Sequence, residues 1–249
     1  MKFSVIGHKK IAVSIAHHFK KNGFELVAFY SNNVEKCVKC AIETFCKAYT
    51  NIEDVISESE LIILAIDDIL LKTSMRKIAS FNPENKIFIT LSYSQTSDLI
   101  NIGNNNTYFS MFVPEVIDNN DITDLSKTTL LLEGCGKDYW DLYDELYIHN
   151  IKFEFIDKNK KWVYNISAKL VSDLIFTFCN LAGDALSEAG GELKNIKSFA
   201  LNTVLEMFGN EHSIEKADFG DILDNLYLIN PSSAKKIDSI YKVLKLMSK

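Results

Sequence analysis

Residues 2–24 read KFSVIGHKKIAVSIAHHFKKNGF. Phe3 to Ile6 is a short apolar run of the kind shown by a strand buried on both faces. Gly7 permits a tight turn, and from Ala12 to Asn22 the apolar residues recur at helical spacing until Gly23 stops the helix. A second apolar segment, Phe24 to Tyr30, follows at once. Strand, glycine turn, helix, strand is the opening of a parallel sheet.

Outward from this unit the alternation continues. Val34 to Ala48 has a helical pattern, Leu61 to Ile66 is a continuous apolar strand, and further strands are expected at Lys86–Leu91, Tyr108–Phe112, Thr128–Leu132 and Lys152–Phe155. Short apolar strands separated by helices indicate a mainly parallel sheet covered on both faces. After Asp157 the pattern changes. Trp162 to Ala189 is one long helical run containing only Gly183 as a weak breaker and stopped by Gly190 and Gly191. Helices are expected beyond it at Asn195–Phe208, Ile214–Leu228 and Ser232–Met247, the last started by Pro231. The expected architecture is α/β: an N-terminal Rossmann-type, doubly wound sheet over 1–157 and an all-α domain over 158–249, with the polar D-K-N-K-K at 157–161 as the boundary.

Composition narrows the partners. The 249 residues carry a net charge of −6, and the lysines alternate with acids instead of forming a stripe, so no nucleic-acid footprint is expected. Arg76 is the only arginine, which leaves almost no bidentate clamp for phosphate or carboxylate. The opening apolar run is too short for a signal-peptide core or a membrane span, and a cytoplasmic protein with a small-molecule substrate is expected. The five cysteines lack the spacing of a disulfide scaffold, and Cys37-x-x-Cys40 falls inside a helical pattern with no second pair or nearby histidine. No metal site is expected, since His17, His18, His149 and His212 have no acids or thiols at ligand spacing.

A strand, a glycine turn and a helix N-terminus form the place where a dinucleotide pyrophosphate docks, because free backbone N–H groups and the positive helix end face it. Here the loop reads Gly7-His8-Lys9-Lys10-Ile11-Ala12, so Lys9 and Lys10 offer charge where glycines would offer space. At the end of the second strand an acid would bind a ribose 2′-hydroxyl and repel a 2′-phosphate. The sequence has Tyr30-Ser31-Asn32-Asn33 followed by Lys36, with no acid, which favours NADPH: Ser31 and Asn32 can donate to the phosphate and Lys36 can add charge. The same residue types also suit a polar turn capping the next helix. Asp68 and Ser92, at the carboxyl ends of two strands, are expected to border the nicotinamide.

The ordered set of short segments Y-S-N at 30–32, L-A-I-D-D at 64–68, L-S-Y-S at 91–94, F-V-P-E at 112–115, L-L-E-G at 131–134 and F-G-D at 219–221 resembles the shorter Rossmann-like branch of the 6-phosphogluconate-dehydrogenase-like reductases over nearly the whole chain. The sequence departs from that group at Lys9, at Val113-Pro114 where a histidine-proline is common, and at Asn165 where a histidine is common. Within the long helix, Trp162, Lys169 and Leu170 are placed as in ketopantoate reductases, which implies that Lys169 is the catalytic lysine, and that an acid from a later helix, Glu215, Asp218 or Asp221, joins the site.

Spacing supports the same stripe independently. Asn165, Lys169 and Asp173 are four residues apart and lie along one line of an otherwise apolar helix, where the lysine either pairs with Asp173 or faces a cleft. A lysine in a cleft can protonate a developing alkoxide while Asn165 and Asp173 orient it. The expectation is therefore NADPH-dependent reduction of a small 2-oxo acid, ketopantoate first, by a homodimer whose helical domain covers its apolar face against a second copy. A pyrroline-carboxylate-type imine reductase and a non-catalytic nucleotide-binding protein are the alternatives.

Overall fold

The computed structural model describes residues 1–103, 105–115, 117, 120–136, 138–188, 190–202, 227–228 and 231–247. They fall into two compact units, 1–168 and 169–249.

The first unit is built on an eight-stranded sheet. Its strands are β1 (Lys2–Gly7), β2 (Glu25–Tyr30), β3 (Lys47–Tyr49), β4 (Leu61–Ala65), β5 (Ile87–Leu91), β6 (Thr107–Phe112), β7 (Leu130–Cys135) and β8 (Phe153–Phe155), in the spatial order β3-β2-β1-β4-β5-β6-β7-β8. The pairs from β3 through β6 are parallel, β7 runs antiparallel to β6, and β8 is parallel to β7. Six parallel strands in the order 3-2-1-4-5-6 make the doubly wound Rossmann arrangement, whose direction of winding reverses between β1 and β4. That reversal opens a crevice at the carboxyl ends of the strands.

Alternate strand residues feed two cores. On one face Phe3, Val5, Ile63, Ala65, Ile89, Phe109 and Met111 pack under α1 (Lys10–Lys21). On the other, Ile6, Ile62, Leu64, Phe88 and Tyr108 pack under α3 (Ile52–Glu58) and α4 (Asp68–Ala79). Because both faces are covered, the strands read as unbroken apolar runs, as the sequence had indicated. Phe19 is fully buried and meets Phe3 edge-on at 5.8 Å and Phe24 at 5.0 Å, which fixes α1 against the sheet.

The structure adds elements to those expected. The helical pattern from Val34 to Ala48 ends earlier: α2 spans Val34–Thr44 and stops where Phe45 takes a left-handed φ of 55°, after which Lys47–Tyr49 forms the edge strand β3. α3 lies between the segment read as a helix to Ala48 and the strand from Leu61, α4 lies between two segments read only as strands, and α5 (Tyr139–Ile148) carries the aromatic run Tyr139, Trp140 and Tyr143. Cys37 and Cys40 are buried on α2, where the thiols donate to the Phe29 carbonyl at 3.3 Å and the His8 carbonyl at 3.8 Å.

The long helix α6 spans Lys158–Glu188, passes Gly183 unbroken and crosses from the first unit into the second. The polar stretch at 157–161 starts this helix, with the Asp157 side chain accepting from Asn159 N at 2.8 Å. In the second unit the described elements are helical: the rest of α6, a 3₁₀ turn at Leu193–Ile196 that leads into helical residues 197–202, helical residues 227–228 and a final helix at Pro231–Met247. The helix expected at Ile214–Leu228 lies almost wholly outside the described residues.

Candidate active site

Two adjoining cavities open at the carboxyl ends of the parallel strands, on either side of the Lys9–Asp67 ion pair. Lys9, Ala65, Ile66 and Asp67 line both, so they form one elongated crevice at the reversal point of the sheet.

The larger, of about 470 Å³, is bordered by Gly7, His8, Lys9, Ser31, Asn32, Asn33, Thr73, Ser74 and Lys77. Gly7 ends β1 with φ 140°, and a Cβ there would stand 2.2 Å from the Ala65 carbonyl oxygen. Only glycine lets β1 turn this close to β4. α1 then begins with no side-chain cap and no acid in its first turn, leaving the positive helix end unneutralised. His8 Nδ1 lies 2.7 Å from Ser31 Oγ, which itself accepts from Asn33 N at 3.2 Å. The serine's own hydrogen is therefore available to Nδ1, an arrangement that puts the imidazole hydrogen on Nε2. Burial first, and Lys36 second, hold the His8 pKa below its ordinary value, so the ring is neutral at pH 7 and acts as a donor without charge.

The rest of this rim comes from α2 and α4. Asn33 caps α2 by accepting from Lys36 N at 3.0 Å, and the Asn32 side chain accepts from Tyr30 Oη at 3.0 Å. The polar-turn reading of residues 31–33 is thus realised while Ser31 and Asn32 still border the cavity. Lys77 brings a cation, with Nζ 3.5 Å from Tyr30 Oη and 5.9 Å from its ring centroid. Thr73, Ser74 and Lys77 share one face of α4 at helical spacing; that polar line was visible in the sequence once a helix was placed after β4. Lys10 points elsewhere, pairing with Glu43 at 3.0 Å, and neither it nor Lys36 lines the cavity.

The second cavity, of about 360 Å³, is lined by Ile11, Leu91, Met111, Phe112 and Val113 on its apolar side and by Lys9, Asp67, Asp68, Ser92 and Tyr93 on its polar side. Asp68 and Ser92, which follow the carboxyl ends of β4 and β5, both line it. Ser92 is buried and accepts from Ser94 N at 3.2 Å and Gln95 N at 2.8 Å, so its hydroxyl shapes the loop after β5. Ser94 Oγ donates to the Asp68 carboxylate and ties that loop to α4. The Lys9 hydrogen bond, more than any other influence, lowers the Asp67 pKa, which favours the carboxylate form of Asp67.

The first two turns of α6 dock along the same loop. Lys158 pairs with Asp98, Lys161 donates to the Gln95 carbonyl, and Asn165 Nδ2 donates to the Tyr93 carbonyl at 2.7 Å. Residues 158, 161 and 165 repeat at helical spacing, and Ala168 continues the line into a small cluster with Phe112, Leu131 and Ile156. Of the stripe expected to be catalytic, Asn165 borders the cleft loop, while Lys169 and Asp173 form an exposed i,i+4 pair at 3.0 Å at the start of the second unit. Glu215, Asp218 and Asp221 lie outside the described residues.

Lys161 and Glu133 escaped sequence reasoning. Lys161 is 2% exposed and donates to Ser110 Oγ as well as to Gln95. Burial lowers its pKa to about 8 against the opposing pull of Glu133 and Asp68. Glu133 is also buried, accepting from Ser97 N at 2.5 Å and Ser97 Oγ at 3.0 Å, and it lies directly across from Ser110 in the β6–β7 register. The available signals were a lone acid inside the apolar run of β7 and a serine inside that of β6.

No family model and no curated protein matches the chain in sequence. Solved structures match it in fold. A provisionally assigned NADP oxidoreductase of Bacteroides fragilis superposes with a TM-score of 0.74 at 13% identity over 97% of this chain and 96% of that one. An imine reductase of Streptomyces aurantiacus gives 0.67 at 14% identity over the whole of both chains. A reductive aminase of Aspergillus terreus, solved with NADPH and ethyl-5-oxohexanoate, gives 0.67 at 14% identity over 93% of this chain and 87% of that one. At these identities the likeness is one of architecture: the chain has the α/β fold, with a parallel-dominated sheet followed by helices, of these NADP-dependent oxidoreductases.

Proposed function

We propose that the protein is an NADPH-dependent reductase of a small imine, with the dinucleotide in the crevice at the carboxyl ends of β1, β2, β4 and β5. The uncapped α1 N-terminus, the close Gly7 turn and the donors Asn32, His8 and Lys77, with no acid except Asp67 lining the larger cavity among the described residues, suit a pyrophosphate and a ribose 2′-phosphate. Lys9 would exchange Asp67 for the pyrophosphate. Bound there, NADPH supplies a hydride to an electrophilic carbon in the smaller cavity.

The observation that favours an imine over a 2-oxo acid is the charge of that cavity. Among the described residues its lining contains Asp67 and Asp68, and its one cation, Lys9, is already paired. A substrate carboxylate would face two aspartates, whereas a protonated imine would be attracted to Asp68 and held over the apolar wall of Leu91, Met111 and Phe112. A protonated imine already carries its proton, so its reduction would ask no acid of this cavity.

The assay is NADPH oxidation followed at 340 nm with a panel of cyclic imines and amine–ketone mixtures, with ketopantoate as the comparison substrate. Turnover of imines and not of ketopantoate is expected. Turnover of ketopantoate abolished by Lys169→Ala would restore the 2-oxo-acid reading, and binding of NADPH with no turnover of either class would make the protein a non-catalytic binder.

The exposed apolar residues of α6, among them Val163, Ile166, Leu170, Leu174 and Phe176, are proposed to pack against a second copy of the chain. By length and composition alone, with a mean hydropathy of 1.3 over its most apolar window, this helix would also pass for a membrane span. Light scattering on detergent-free protein separates the two, with a dimer expected.

A further inference from the structure

The polar row Thr90–Ser110–Glu133 crosses three adjacent strands inside the sheet, and Lys161 is set into it from α6. We infer that Lys161 is a positioning residue for the cleft: held between the Gln95 carbonyl and the Ser110 hydroxyl, its ammonium fixes the 92–98 loop, and through it Tyr93, Ser94 and Asp68, in the shape that receives cofactor and substrate. The inference rests on the reductase reading for its ligand, but not for its geometry.

The connectivity is specific. Ser110 Oγ donates to the Gln95 carbonyl at 2.8 Å, so Lys161, Ser110 and Gln95 form a closed triangle at the foot of the loop. Gln95 Nε2 donates to Ser94 Oγ at 2.9 Å, and Ser94 donates to Asp68 at the cleft. Asn165, one turn further along α6, holds the Tyr93 carbonyl at the other end of the same loop. The charged groups facing Lys161 are Glu133 from β7 and Asp68 from α4; the Lys158–Asp98 pair closes the loop one turn away.

Burying a lysine here has a cost. Its pKa falls from 10.5 to about 8 on folding, so the native state disfavours the charged form. The unfolded chain holds more protons between about pH 8 and 10.5; stability gains from this group as pH rises through that window, and below pH 8 the cost of burying the ammonium is present in full. A charge kept at a cost to stability, and wired to the cleft loop, has its value in what the loop does. Loss of the proton removes the charge assistance from both hydrogen bonds and the pull of Glu133 and Asp68.

The test compares wild type with Glu133→Gln, whose Oε1 can still accept from Ser97 N while its Nε2 donates to Ser97 Oγ, and with the double variant Lys161→Met/Glu133→Gln, which removes both buried charges so that neither is left unpaired. Amide exchange of residues 93–98, corrected for its intrinsic pH dependence, and NADPH affinity from nicotinamide fluorescence are measured from pH 6.5 to 9.5, with Tm at pH 7. In wild type, loop protection and affinity fall together about tenfold with a midpoint near pH 8, in Glu133→Gln the midpoint moves lower, and the double variant is flat with pH at the low level while its Tm is not reduced. Wild-type exchange that is flat across pH 8, or a double variant with wild-type protection and affinity, overturns the inference. Failure of the wild type to bind NADPH at any pH overturns the reductase reading instead, and the exchange limb still decides the role of Lys161.

Discussion

Gly7→Ala tests whether the crevice is shaped by the close approach of two backbones. The new Cβ would stand 2.2 Å from the Ala65 carbonyl oxygen and 2.7 Å from its carbon, both main-chain atoms in the centre of the sheet, so no side chain can swing aside. The φ of 140° adds a conformational penalty of about 1–3 kcal/mol, and forcing β1 and β4 apart adds about 1–3 kcal/mol more. Gly103→Ala is the matched control, because Gly103 also has positive φ, at 78°, but nothing within 4 Å of its Cβ position. At roughly 2–4 °C of Tm per kcal/mol for a chain of this length, Gly7→Ala should lower Tm by roughly 10 °C and Gly103→Ala by roughly 3 °C. Thermal unfolding by circular dichroism, with urea midpoints as a second measure, reads the difference. If the two variants unfold within roughly 2 °C of each other, the clash is absorbed and the argument that only glycine fits this turn is wrong.

Three further outcomes follow from the site. Asp67→Asn frees Lys9 and removes a carboxylate from beside the expected pyrophosphate, so NADPH should bind about threefold to tenfold tighter, with the gain shrinking as salt is raised from 50 to 500 mM; unchanged affinity at low salt would place the phosphates elsewhere. Asn32→Asp puts an acid at the end of β2 and should weaken NADPH by about tenfold while leaving NADH nearly untouched, measured by fluorescence titration of each. Burial raises the Cys40 pKa to about 11 and pushes Cys37 up as well, so neither thiol should take up iodoacetamide at pH 7.5 until the protein is unfolded; mass-mapped alkylation of Cys37 in the native state would show α2 to be looser than its packing implies.

The fold was legible because a doubly wound sheet advertises itself: strands such as Leu61–Ala65 and Ile87–Leu91 are buried on both faces and so read as unbroken apolar runs. What lay between them was harder. α3 is only seven residues long, and α4 shows its buried side through just Leu71, Met75 and Ile78, so neither announces itself beside the strands. For the site, local chemistry could be read wherever one element supplies it, as at Gly7, Ser31, Asn32, Asp68 and Ser92. The lysine on α6 could not. Periodicity shows that Asn165, Lys169 and Asp173 share a stripe, but Lys161 and Lys158 lie on nearly the same line, and nothing in the spacing tells which turn of a long helix meets the sheet. Partners distant in sequence show which turn does so: the Gln95 carbonyl, Ser110 on β6 and Glu133 on β7 gather around position 161, whereas among the described residues position 169 pairs with Asp173 of its own helix. A lone acid and a lone serine inside apolar strands are costly there unless something compensates them. Those two residues were the sequence's signal for a buried cation, and the sequence reading passed over them.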